Sequence, residues 1–175
     1  NTGDLTTHAS GSRQGKAGGI AANNTTTIGG GSTGTIDYCY VVVTTITISI
    51  ANDSSQTSYA GGLVASESTG AISNSYVYVA NVVINNTDKA KYGSIIGISN
   101  VDSGRYSSAV ILYADPTGNT YNPVGSDNTK KIGTKYESQD ALKQGILSNG
   151  NLSTKFKSGS VSVNNGMPVL DWQTV

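Results

Sequence analysis

Residues 60–79, AGGLVASESTGAISNSYVYV, carry the pattern that organises the chain. A Gly-Gly turn leads into a short apolar run. A second glycine turn follows, and then a strand signal rich in β-branched and aromatic residues. The same order occurs upstream and, more weakly, downstream. The first repeat opens at Ala17-Gly18-Gly19-Ile20-Ala21-Ala22 and is interrupted by a polar insertion from Asn23 to Ser32. It resumes at Thr33-Gly34-Thr35-Ile36 and ends in a long strand signal from Tyr38 to Ile50. The second runs through Ala60-Gly61-Gly62-Leu63-Val64-Ala65 and Thr69-Gly70-Ala71-Ile72 to a strand from Ser75 to Ile84. The third is degraded: Tyr92-Gly93-Ser94-Ile95-Ile96-Gly97, then Ser103-Gly104-Arg105-Tyr106, then Ala109 to Tyr113.

Aligned, the repeats form columns. Ile20, Leu63 and Ile95 share one, and Ile36, Ile72 and Tyr106 another. Gly34, Gly70 and Gly104 share a turn, with spacings of 36 and 34 residues. Cys39, Ser75 and Ala109 are small, while Tyr40, Tyr76 and Val110 are large. A layer of short strands cannot bury its inner face alone, but neighbouring layers cover each other and place like residues on like. Ile46, Ile48 and Ile50 alternate with Thr45, Thr47 and Ser49, as expected of a strand with one buried and one wet face. The recurring glycines predict sharp corners at positive φ. The reading is an all-β parallel β-helix, or β-solenoid, of about three to four rungs.

The tail departs from the repeat. Residues 121–134 are turn-rich, with Asn122-Pro123 and Gly125-Ser126-Asp127-Asn128. Ser138 to Leu147 predicts the chain's one helix. Ser138 serves as N-cap, Asp140 sits in the first turn, Leu142 and Ile146 form the apolar face, and Asn149-Gly150 is the stop. Ser160–Val163 and Pro168–Trp172 read as short closing strands. The expected division is 1–136 for the repeats (17–50, 60–84 and 92–113) and 137–175 for a capping helix and hairpin, which shields an open strand edge. Residues 1–16 read as loop or a poorly formed first rung.

Composition sharpens this. The chain has 175 residues, rich in Gly, Ser, Thr and Asn, with ten tyrosines. Eleven basic residues balance eleven acidic ones. No face reads as basic enough for nucleic acid. One cysteine excludes an internal disulfide. No apolar run approaches the ~20 residues of a membrane span. The opening, NTGDLTTHAS, reads as a processed or truncated start.

Gly61-Gly62-Leu63-Val64-Ala65 with Asn74-Ser75-Tyr76 resembles the GLUG motif of bacterial surface proteins. Gly18-Gly19-Ile20-Ala21-Ala22 with Tyr38-Cys39-Tyr40 matches loosely, and Gly93-Ser94-Ile95-Ile96-Gly97 more weakly. Asp140 to Leu147 followed by Gly166–Gln173 is similar to the close of GLUG-containing chains of gut Bacteroides-type bacteria. The resemblance covers about residues 17–113 and 137–173. It implies a right-handed parallel β-helix and an adhesin-like, cell-surface or secreted setting, with lipid anchoring through a preceding segment as one form. GLUG repeats also accompany secreted immunoglobulin A peptidases, but His-Glu-x-x-His is absent here. The family supplies no catalytic residues.

Candidate chemistry is sparse, and the expectation is no catalytic residue, no metal site and no cofactor. His8 is the sole histidine and reads as solvent-exposed. Cys39, in a small-residue column, reads as a buried, inert thiol. Asp53, Asp88, Asp102, Asp115 and Asp127 read as turn residues, and Asp37 aligns with Ser73 and Ser107 rather than with acids. A calcium site at Asp127 and Asn128 is a weaker reading than a hydrated turn. Gly29-Gly30-Gly31-Ser32 lacks the lysine of a phosphate loop. Lys130, Lys131 and Lys135 read as a solvated loop face, and Trp172 as cap packing rather than a sugar platform.

The tyrosines are the exception. Alternation puts Tyr38, Tyr40, Tyr76 and Tyr78 on one side, with Tyr40 over Tyr76. Facing outward, they make an aromatic binding surface for protein or glycan. Facing inward, they are core, and Val42, Ile46, Ile48 and Ile50 continue their parity. The expected function is a non-enzymatic, surface-displayed structural or adhesion module. Its expected partners are glycans or surface proteins, without nucleic acid or direct membrane insertion. The alternatives are a β-helix carbohydrate-active domain, of lyase or hydrolase type, and a pure structural stalk.

Overall fold

The computed structural model describes residues 5–9, 15–24, 35–50, 56–67, 71–85, 88–99, 106, 110–115, 121–126, 129–130 and 132–174. The first round of strands comprises β1 (Leu5–Ala9), β2 (Lys16–Gly18), β3 (Ala21–Asn24), β4 (Thr35–Asp37) and β5 (Tyr40–Ile50). The second comprises β6 (Ser58–Gly61), β7 (Val64–Glu67), β8 (Ala71–Ser73) and β9 (Ser75–Ile84). The third comprises β10 (Ala90–Gly93), β11 (Ile96–Ser99) and β12 (Ile111–Ala114). Then come β13 (Thr134–Lys135), helix α1 (Gln139–Ser148), β14 (Phe156–Lys157) and β15 (Val169–Leu170). The described chain is β-rich with one α-helix, and all its strand pairings outside β14–β15 are parallel. Among the described residues no helix is long and apolar enough to cross a membrane.

Each strand pairs with its counterpart in the next round. The sheet orders are β1-β5-β9-β12-β13, β10-β6-β2, β11-β7-β3 and β4-β8. The registers match the sequence columns: Ile36 opposes Ile72, Tyr40 opposes Tyr76, and Ala60 lies between Ala17 and Tyr92. Ile20 bonds to Leu63, which bonds to Ile95. Leu63 and Ile95 are fully buried, whereas Ile20 is 44% exposed. Residues 5–9 are a strand on β5, so the start of the chain adds to the stack rather than looping away. The turn-rich segment also stacks: the Ser94 amide donates to Asn122 O (3.0 Å) and the Ile95 amide to Pro123 O (3.1 Å).

One column requires correction. Ser75 opposes Ile111 and Tyr76 opposes Leu112, two residues beyond the alignment with Ala109 and Val110. A slip of two preserves which side chains face inward, so hydrophobic alternation is blind to it. The Gly34, Gly70 and Gly104 turn, the Gly29–Ser32 run, Asp53, Asp102, Asp127, Asn128, Lys131, Ser107 and Ala109 lie outside the described residues.

The glycines earn their positions differently from the expectation. Gly18, Gly61 and Gly93 stack in register without positive φ. A Cβ on Gly61 would run into Val64 O and stand 2.6 Å from the Gly97 amide; one on Gly93 would meet Ile96 O and the Gly125 amide. Close backbone approach, rather than a left-handed corner, excludes a side chain there. The left-handed corner falls on Tyr38 (φ 48°) and Asn74 (φ 44°), 36 residues apart, just before β5 and β9. Asparagine tolerates that conformation; tyrosine adopts it less readily.

The parity of β5 also resets. Val41 and Val43 face the interior with Ile46, Ile48 and Ile50, while Thr44 is exposed and Thr45 half-buried. On β9, the matching Ala80 and Asn81 are both exposed. Two successive outward residues on both strands shift the alternation by one. Val42 and the tyrosines therefore face away from Ile46, Ile48 and Ile50, not with them.

The interior holds Leu63, Val64, Ile72, Val77, Val79, Ile95, Ile96 and Ile111 with these β5 residues. A second core lies on the other side of the large sheet. Val42, Tyr76, Leu112 and Ala114 pack there against Leu142 and Ile146 of α1, and against Leu152, Phe156 and Met167. Ser138 caps α1 as expected, its Oγ accepting from the Ala141 amide at 3.1 Å. The closing strands are β14 and β15, antiparallel, rather than Ser160–Val163, which turns and leaves Val161 85% exposed. Trp172 lies beyond β15 in a turn and is 75% exposed, so it packs in neither core.

Candidate functional site

The corner at Tyr38 and Asn74 launches β5 and β9 side by side, and the shared register sets Tyr40 upon Tyr76. Their rings stack at 5.3 Å and 9°, and Phe156 makes a T-shaped contact with each, at 6.1 and 5.3 Å. All four predicted tyrosines lie on one side: Tyr38, Tyr40 and Tyr78 are half-buried and pack against the second core, and Tyr76 is inside it with no exposed surface. The tyrosine side is thus neither the interior of the stack nor an open face, because residues 138–170 cover it.

The cover is bonded as well as packed. The Tyr76 hydroxyl donates to Pro168 O, and Asn164 Nδ2 donates to the Tyr76 hydroxyl (3.1 Å) and to Pro168 O (3.1 Å). Tyr40 donates to Gln173 Oε1 at 3.0 Å, and Gln173 Oε1 also accepts from the Leu170 amide at 2.8 Å. Burial holds the Tyr76 phenol far above the usual tyrosine range, with the Asn164 bond opposing in part. Burial, followed by Asp140, raises Tyr78.

Asp37, Cys39 and Ser75 occupy the neighbouring corner. Ser73 Oγ and Asn74 Nδ2 both donate to Asp37 Oδ1 at 2.9 Å, as the alignment of Asp37 with Ser73 anticipated. The Cys39 amide donates to Ser75 Oγ at 3.2 Å. The thiol is half-buried, and burial raises its pKa, which disfavours the nucleophilic thiolate.

A different constellation escaped the sequence reading. After β12 the chain carries Asp115 inward, where its side chain is 1% exposed. It is not a turn residue at the surface. Lys135 of β13 brings Nζ to 3.7 Å from Asp115 Oδ2. Among the described residues, no donor reaches either Asp115 oxygen with hydrogen-bonding geometry. Burial pushes this carboxyl up, opposed by the nearby Ser94 hydroxyl, the Lys135 ammonium and the Tyr121 amide. Burial and then Asp115 raise Tyr121, and the same pair with Glu137 pushes Tyr113 up to about 12. Tyr92 and Tyr121 meet edge to face at 4.8 Å.

Beside this group a cleft of about 230 Å³ opens, lined by Tyr113, Tyr121, Asn122, Pro123, Ile132, Gly133 and Lys135. Lys130 does not line it; its Nζ donates to Ser99 O at 2.7 Å. Asp88 is exposed, as expected of a turn acid, and His8 lies in β1 opposite Ser49. No protein-family model, curated protein or solved structure matches the chain.

Proposed function

We propose that the chain is a GLUG-type, right-handed β-solenoid of about three to four rungs, capped by residues 137–175. It works as a non-enzymatic, surface-displayed adhesion module of a bacterial cell. The observation that carries this reading is the outer face of β5 and β9 beyond the parity reset. There Thr45 and Thr47 lie beside Asn81 and Val83 in parallel register, with Ser49 next along β5, uncharged and at least partly exposed. Such a face offers hydroxyl and amide groups in rows about 4.8 Å apart, matched to the repeating hydroxyls of a glycan or to a polar protein surface. Its contacts are individually weak and gain strength through repetition along the stack.

The tyrosine side, expected to bind if open, has a structural part in this reading. It anchors the C-terminal segment, which closes the stack and protects the strands beneath it. The test is a panel of host and plant polysaccharides, scored for binding and for release of reducing or unsaturated ends. Binding without release, weakened by a Thr47→Lys/Asn81→Lys pair, supports the adhesion module. Release of ends sinks it in favour of a carbohydrate-active domain, and neither outcome leaves a stalk.

A further inference from the structure

We propose that the cleft between Tyr113, Tyr121 and Lys135 is a carbohydrate subsite that takes one neutral pyranose ring. This deepens the adhesion reading and rests on it for a glycan as ligand: the broad face makes the extended contact, and the cleft selects a sugar. Its size sets the first limit. At about 230 Å³ it is smaller than the roughly 300–1,000 Å³ of pockets for drug-sized ligands, so it admits a single ring rather than an extended molecule.

Its lining sets the second. Tyr113, Tyr121 and Pro123 supply apolar surface for the C–H face of a pyranose, while the phenols, the Asn122 amide and the Lys135 ammonium supply polar partners for the hydroxyls at its edge. Tyr92 and Tyr121 meet edge to face, which holds the Tyr121 ring in place before a ligand arrives. Gly133, at φ +71°, leaves bare backbone in the wall; a side chain there would press on Ile95 Cδ1 at 2.7 Å and Ile111 O at 2.8 Å.

Charge sets the third. Lys135 is the one ionisable cation of the described lining, and Asp115 stands 3.7 Å behind it. The pair largely cancels at long range, so no field draws a charged glycan in from solution, and uncharged ring hydroxyls are the groups the phenols and the Asn122 amide suit.

Saturation-transfer NMR on the full chain tests this with methyl glucoside, galactoside and mannoside, and with methyl glucuronide as the charged comparator. The expected result is transfer to at least one neutral glycoside at roughly 10 mM, within the millimolar range of a single-ring contact. The glucuronide signal is weaker, and Tyr121→Ala and Asn122→Ala each cut the neutral signal at least five-fold. Thr47→Lys/Asn81→Lys leaves that signal intact while it weakens polysaccharide binding, so failure of the cleft and failure of the broad face are told apart. No transfer to any neutral glycoside overturns the proposal. So does undiminished transfer in Asn122→Ala, a variant that keeps the backbone carbonyl bonded to Ser94 and does not depend on Tyr121 for folding.

Discussion

The large parallel sheet has a core on each side, and the two are built by different rules. On the inner side, Ile36 meets Ile72 and Leu63 meets Ile95, so each residue packs on its own counterpart one round later. On the outer side, Tyr76 meets Phe156, Asn164 and Pro168, and Tyr40 meets Gln173, across as many as 133 residues. Repetition generates the first core at low loop-closure cost per round. The second forms once, between unlike segments. The inner core thus rests on contacts that recur from round to round, and the outer core on contacts made once.

The largest effect separates the two cores by truncation. Tyr76→Ala removes a fully buried ring from the outer core and costs about 3–5 kcal/mol, against about 2–5 kcal/mol for Ile48→Ala in the inner one. Urea denaturation followed by far-ultraviolet circular dichroism measures both. A single transition in each variant shows that the cap and the stack unfold as one unit. Gly61→Ala strikes the approach between rounds, where a methyl meets Val64 O, and costs roughly 1–3 kcal/mol or more in the same assay. A Gly61→Ala variant as stable as the parent would remove close backbone approach as the reason for the glycine column.

Smaller changes refine the outer core. Tyr76→Phe keeps the ring and removes the hydroxyl bridging Pro168 O and Asn164 Nδ2, which stay bonded to each other, at about 0.5–1.5 kcal/mol. Ser138→Ala removes the cap of α1 and costs about 1 kcal/mol. A further effect is alkaline. Tyr113 has its pKa raised to about 12 by burial and then by Asp115 and Glu137, against an ordinary value near 10. The folded chain holds that proton more tightly than the unfolded chain. Its contribution is therefore full below about pH 10 and is lost as pH rises from there to about 12. Tyr113→Phe should lose less stability across that window than the parent, measured by denaturant midpoints at each pH.

The inner core was legible because period-2 alternation and a repeat of about 36 residues both point to it, and Leu63 and Ile72 fall where the pattern puts them. The grouping of Tyr38, Tyr40, Tyr76 and Tyr78 was legible for the same reason. Their surroundings were not. Residues 158–168 show no period, and Asn164 and Pro168 contact Tyr76 through turns that no local rule aims. The reset at Thr44–Thr45 was also hidden, since Val42 and Ile46 share even numbers and a corner between them leaves no mark in hydropathy. The cleft was beyond reach: Tyr121 and Asn122 lie in a turn-rich segment, and Asp115 finds Lys135 only after β12 and β13 pair.

Nuclear Overhauser spectroscopy of the aromatic region tests the account most directly. Phe156 is the only phenylalanine, so its ring protons are assigned without ambiguity. With ring centroids 5.3 Å from Tyr76 and 6.1 Å from Tyr40, cross-peaks from Phe156 to both tyrosines are expected. Their absence, with Tyr76 resonances sensitive to a soluble paramagnetic agent, would contradict closure of the C-terminal segment over the tyrosine side.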